Sequence, residues 1–261
     1  MQDLDRRNAY VLSVDGVPQS HVDLDDPTDL DFEYVRWIAD IVDVAAPTGQ
    51  PLRALHLGGG AATVARYVAA TRPGSKQTAA EIDDLLVELV RDRIGYDVPG
   101  LRMRIIDGRE LVAGRRDESA DLIVVDAFAG ARLPVHLATT EFTQIAARVL
   151  RPTGVHIVNV GDGTGLIFAR RVASTLAATY PHVVVLTDPG VLRGRRFGNV
   201  VLAASRVPLL VDDLARAAAQ MPARASLLDG ERVRRWYGRA ALLRDDEETA
   251  VPLLPESLWP D

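Results

Sequence analysis

From residue 52 to residue 205 the chain alternates two hydrophobic periods. Short continuous apolar runs predict buried strands at 53–57, 77–81, 102–106, 121–125, 154–159, 183–187 and 199–204. Between them, apolar residues recur at helical spacing over 63–71, 84–93, 140–150 and 164–179. Strand and helix in alternation predict an α/β fold: a mostly parallel sheet of seven strands with helices on both faces. Ahead of it, residues 9–22 alternate apolar and polar around Asp15-Gly16, the signature of a small hairpin. An acidic stretch (Asp23, Asp25, Asp26, Asp29, Asp31) leads into a helical pattern of Phe32, Val35, Ile38, Ala39 and Val42, closed by Pro47-Thr48-Gly49. Residues 210–221 predict a short Ala-rich helix, and the tail from Asp229 is mixed and charged, with Trp236 and Trp259 expected at the surface. The expected organisation is a hairpin and helix over 1–46, a nucleoside-binding domain over 47–207, and a helical extension over 208–261.

Chemistry enters at Leu55-His56-Leu57-Gly58-Gly59-Gly60, a strand running into a glycine turn before a helix, with Glu81 ending the next strand. Glycine permits the sharp turn and a close ligand, and the helix start offers free N–H groups. A carboxylate such as Glu81 can accept both hydroxyls of a ribose, which places a nucleoside at the switch point of the sheet. The other strand ends carry Asp83, Asp107-Gly108, Asp126 and the Asn159–Asp162 stretch. An acid-rich rim disfavours a phosphate-rich dinucleotide and suits a nucleoside bearing a positive sulfonium. The net charge of −6 argues against a nucleic-acid partner, and the absence of cysteine excludes disulfides and thiolate metal sites. No metal-ligand spacing is visible. The polar start and the lack of a membrane-length apolar run lead to the expectation of a soluble cytoplasmic protein.

These motifs, with Asp15-Gly16-Val17-Pro18-Gln19-Ser20, Asp31-Phe32-Glu33-Tyr34, Ile123-Val124-Val125-Asp126, Thr140-Glu141-Phe142 and Leu150-Arg151-Pro152-Thr153-Gly154, resemble those of the polyamine aminopropyltransferases, the spermidine and spermine synthases. The resemblance runs in order over about residues 10–205. It implies a Rossmann-like methyltransferase fold, a homodimer, and S-adenosylmethionine or its decarboxylated form as ligand, with methylthioadenosine or S-adenosylhomocysteine as product. By the same resemblance Gly58, Gly59 and Gly60 pass under the nucleoside, Glu81 holds the ribose, and Ile82 packs on adenine. Asp107 and Gly108 contact the adenine edge, Gln19 and Tyr34 line the cofactor tail and a channel for a cationic amine, and Asp126 faces the reacting centre.

Two departures alter the expected activity. The family's glycine loop carries an aspartate that binds the aminopropyl amine, and Ala61 stands there. The active-site loop carries a second aspartate, the base that deprotonates the attacking amine, and Asp126-Ala127-Phe128-Ala129-Gly130 has Ala129 in its place. Losing a general base costs on the order of two to four decades in rate. Conversion of putrescine to spermidine is therefore expected to be slow or absent. Asp162 and His136 are the candidate replacement acid–base groups. Group transfer to an altered acceptor, methyl transfer, and a catalytically silent binding or scaffold role all stay open.

Overall fold

The computed structural model describes residues 6–14, 17–128, 132–220 and 225–249; the Asp15-Gly16 turn, Ala129, Gly130 and Trp259 lie outside the described residues. Strands β1 (Ala9–Val14) and β2 (Val17–Asp23) pair antiparallel as the expected hairpin. Helix α1 (Glu33–Ala45) buries Val35, Ile38, Ala39 and Val42, the positions that its spacing singled out. It has no basic residue in its last turn, and Arg72 supplies one from outside. The Arg72 guanidinium donates to the carbonyls of Val42 and Ala46 and pairs with Asp43 at 2.9 Å. A cation there satisfies end carbonyls that the helix itself cannot bond.

The core then follows as β3 (Arg53–Leu57), α2 (Thr63–Thr71), β4 (Lys76–Glu81), α3 (Asp84–Arg93), β5 (Leu101–Ile105), α4 (Gly108–Ala113), β6 (Ala120–Val125), α5 (Thr140–Val149) and β7 (Leu150–Asp162). It closes with α6 (Ile167–Ala177), β8 (His182–Thr187), α7 (Pro189–Leu192), β9 (Gly198–Ser205), α8 (Val211–Gln220), β10 (Ser226–Leu228) and α9 (Gly230–Tyr237). The sheet has eight strands rather than seven, in the order β10-β8-β9-β7-β6-β3-β4-β5. Parallel pairing runs from β7 through β6, β3 and β4 to β5, and β9 inserts antiparallel between β7 and β8. The added strand, β10, pairs antiparallel with β8 and comes from the segment read as a purely helical extension. Helix 164–179 resolves into a short 3-10 turn followed by α6, because Leu166 takes a left-handed conformation between them.

Apolar side chains fill both faces. Ile123, Phe142, Phe168 and Leu202 belong to one cluster, and Ile38, Ile41, Leu122 and Ile157 to the other. Trp236 is not a free surface residue. It packs on the first cluster, with the Arg170 guanidinium 5.6 Å from its ring centre.

Beyond α9 the chain crosses α5 and α6 as an extended strap. Buried Leu243 accepts from Thr140 N–H (2.8 Å) and donates its own N–H to Thr175 Oγ1 (2.9 Å). Arg171 donates to the carbonyls of Ala241 and Leu242, and Asp245 forms a bidentate pair with Arg109 at 2.7 and 2.5 Å. The strap therefore reaches from the helices to the first turn of α4.

Candidate active site

The carboxyl ends of β3, β4 and β6 meet at the glycine turn. Gly58 N–H donates to Ala80, and Asp126 N–H donates to Leu57, so three neighbouring strands are tied at one level. Gly58 has φ +98°, and a Cβ there would lie 2.2 Å from the Asp126 carbonyl oxygen. A Cβ on Gly59 would lie 2.9 Å from Cβ of Glu81. Only glycine allows these approaches.

Around the turn lies a cavity of about 510 Å³ lined by Gly58, Gly59, Gly60, Glu81, Ile82, Asp107, Gly108, Asp126, Tyr34 and His136, among others. Most of the residues that the sequence singled out thus line one cavity. Gln19 stands on β2, and its side chain lies outside the described residues. The hairpin nonetheless contacts the core: Ser20, also in the lining, bonds Thr63 Oγ1 at 3.0 Å, and that hydroxyl donates to the His21 carbonyl.

Glu81 is an organiser of the turn as well as a ligand candidate. One carboxylate oxygen accepts Gly59 N–H at 2.9 Å and Gly60 N–H at 3.3 Å. The other accepts Ile82 N–H at 2.9 Å and Asp83 N–H at 3.2 Å. An ionised carboxylate has about four acceptor sites. Ribose hydroxyls would therefore have to displace the longer pair, from Gly60 and Asp83. Ile82 is 72% exposed although it lines the cavity, an apolar face open to a planar base.

At the next strand end, Asp107 caps α4 with one oxygen, taking the N–H groups of Arg109 and Glu110. Its second oxygen lies 2.8 Å from His136 Nε2. Those bonds and the imidazole outweigh desolvation and hold the Asp107 carboxyl below its ordinary value. Arg109 also donates to the His136 carbonyl, so the pair Asp107–His136 rests on the residue that the strap grips.

Asp126 receives a hydrogen bond from the Asn159 side chain at 2.9 Å. Burial pushes its carboxyl up to about 6, and the Asn159 bond opposes that rise. Among the described residues no other carboxylate contributes. Tyr34 is held far above the ordinary phenol range by burial and by the Asp126 charge, so its hydroxyl keeps its proton.

Asp162 does not join this group. It is buried, absent from the cavity lining, and spends its oxygens on Gly163 and Ala169 N–H. Ala61 is sealed at 1% exposure and is also absent from the lining. His56 lies in the core against Gln77 at 2.8 Å, and burial lowers its pKa to about 4. Among the described residues no cluster suits a metal ion. Tyr96 was not foreseen: its hydroxyl donates to the Gly60 carbonyl and braces the turn from a loop. Nothing local in the sequence marks it.

No family model matches the chain. The crystal structure of a probable spermidine synthase from Corynebacterium glutamicum is 33% identical, with TM-score 0.87, covering 96% of this chain and 93% of that one. A curated polyamine aminopropyltransferase of Chromobacterium violaceum is 29% identical over 180 residues, 64% of this chain and 67% of that protein. A spermidine synthase in complex with the transition-state analogue AdoDATO is 19% identical with TM-score 0.58, covering 80% and 72% of the two chains, and shares the fold.

Proposed function

Because this chain belongs to the spermidine synthase, or polyamine aminopropyltransferase, family, we propose that its cavity binds an adenosyl sulfonium and supports group transfer from it to an acceptor other than putrescine. The ligand is S-adenosylmethionine or its decarboxylated form, and the product methylthioadenosine or S-adenosylhomocysteine. A related synthase binds AdoDATO, and the residues of this chain fit that class. Ile82, Leu86 and Ile106 offer apolar cover for a base, Asp107 an acceptor for its amino group, and Glu81 acceptors for ribose. By the resemblance, Gln19 completes the tail end from the hairpin. When bound, the sulfonium supplies an electrophilic carbon, whose bond to sulfur breaks as an acceptor lone pair attacks. Asp126 sets a single negative charge beside Tyr34, to face that positive centre.

One observation carries the altered acceptor. The lining holds carboxylates at Glu81, Asp83, Asp107 and Asp126 only, with no second acid acting on Asp126 among the described residues. A diamine, a dication at neutral pH, gains from two. The same single acid favours methyl transfer as the second reading. Product analysis separates them. Methylthioadenosine marks aminopropyl transfer, S-adenosylhomocysteine marks methyl transfer, and binding without turnover marks a silent binder. Robust spermidine formation from putrescine would show that His136 or another group has replaced the missing base.

Glu81→Ala is expected to weaken methylthioadenosine binding by about 1.5–3 kcal/mol, through loss of charge-assisted hydrogen bonds. The melting temperature should fall too, since four N–H groups lose their acceptor. If calorimetry of the folded wild-type protein detects neither methylthioadenosine nor S-adenosylhomocysteine, the nucleoside reading fails. A homodimer and a cytoplasmic location belong to the same reading. Light scattering at micromolar concentration checks the dimer, and a monomeric mass would remove it.

A further inference from the structure

A second cavity, of about 730 Å³, lies at the opposite edge of the sheet, among the amino ends of β3, β4, β5 and β6. Its lining includes Arg53, Lys76, Arg102, Arg115 and Arg116 and, among the described residues, no carboxylate. A smaller adjoining cavity shares Gly114 and Arg115 and adds Arg104, with Glu110 as its acid. Six cations thus gather on one face of a chain whose formal charge is −6.

Their arrangement is costly without a counter-charge. Arg53 and Lys76 are direct partners on adjacent strands. Like charges placed opposite each other destabilise a sheet. Arg102 and Arg104 share one face of the edge strand β5, two residues apart. None of the six forms an ion pair among the described residues. Two acids nearby are engaged elsewhere: Asp117 with Arg148, and Asp121 with Arg151 and the Arg53 backbone N–H. Arg115 is the least exposed of the group. Its Nε is buried with no hydrogen-bond partner among the described residues. Burial, then the charges of Arg104 and Arg102, hold its guanidinium below its usual pKa. An anion between these side chains would relieve the repulsion and occupy that N–H. Arginine forks match phosphate oxygens in particular.

We propose that this groove is a binding site for a small phosphate-rich anion, separate from the nucleoside cavity. At about 730 Å³ it has room for a ligand carrying several charges.

Calorimetric titration with inorganic tripolyphosphate tests it. Saturable binding is expected in about 50 mM salt and at least tenfold weaker binding in about 300 mM, since these exposed cations are screened. The double variant Arg102→Ser, Arg115→Ser should weaken tripolyphosphate at least tenfold while leaving methylthioadenosine binding within about twofold. If that variant does not fold, Arg53→Ser, Lys76→Ser, whose side chains are exposed, gives the same readout. No saturable binding at low salt, or equal binding by wild type and both variants, overturns the proposal. Equal affinity for citrate overturns its phosphate preference. Displacement of tripolyphosphate by methylthioadenosine overturns its separateness.

Discussion

Gly58→Ala is expected to destabilise the protein by about 3–4 kcal/mol and to abolish nucleoside binding. Two costs combine. The backbone at φ +98° lies where an L side chain is strained, and the new methyl carbon would sit 2.2 Å from a carbonyl oxygen. That oxygen belongs to Asp126, in a β6 end already bonded to Leu57, so it cannot retreat without loosening the sheet. For a domain of this size the melting temperature should fall by about 10 °C. Ala62→Gly, four residues on, should behave differently. Ala62 also lies in the left-handed region, at φ 59°. Glycine would relieve that strain but give up a buried methyl and add unfolded-state freedom. The net change should stay within about 1 kcal/mol. Thermal melts of both variants check the contrast. A Gly58→Ala protein as stable as wild type would refute the proposed geometry of the turn.

Asp126→Asn should raise stability at pH 8 and remove the pH dependence of sulfonium binding. The folded carboxyl titrates at about 6, and an unfolded aspartate near 3.9. Between those values the folded state holds a proton that the unfolded chain has released. Wild-type stability therefore declines as pH rises through that window, by at most about 2–3 kcal/mol. Asparagine cannot ionise, so the variant should be the more stable at pH 8, by about 1–2 kcal/mol, and no better at pH 4. A positive sulfonium beside the carboxylate should bind more tightly as pH rises from 5 to 7.5, whereas the neutral thioether should not. Parallel titrations of S-adenosylmethionine and S-adenosylhomocysteine read this directly. Identical pH profiles for the two ligands would place the sulfonium away from Asp126.

Four of the residues that line the cavity were legible because each sits at or just past a strand end, as a glycine or an acid. Gly58, Glu81, Asp107 and Asp126 are all of this kind. What escaped has a physical reason. Helix α4 has six residues and buries only Leu111 and Val112, too few to show a period. Strand β10 has three residues in a charge-dense tail. Asp107 and His136 are 29 positions apart, with α4 and β6 between them, and no local pattern encodes their pairing. Asp162 was singled out by its strand end, yet β7 runs through it and turns its carboxylate onto the start of α6. Ala61 occupies a sealed position, so restoring an aspartate there would bury a carboxylate at a cost of several kcal/mol.

The strap has a consequence for how the protein is made. Arg109 and Asp245 are 136 residues apart, and their pair bears on the loop that carries His136. Translation delivers Asp107 early and its support late. A nascent chain exposes the glycine turn and the Asp107 cap long before Asp245 has left the ribosome tunnel. The Asp107–His136 end of the cavity thus gains its Arg109–Asp245 brace only late in synthesis, and a chain released before the strap emerges would carry the glycine turn and the Asp107 cap without it.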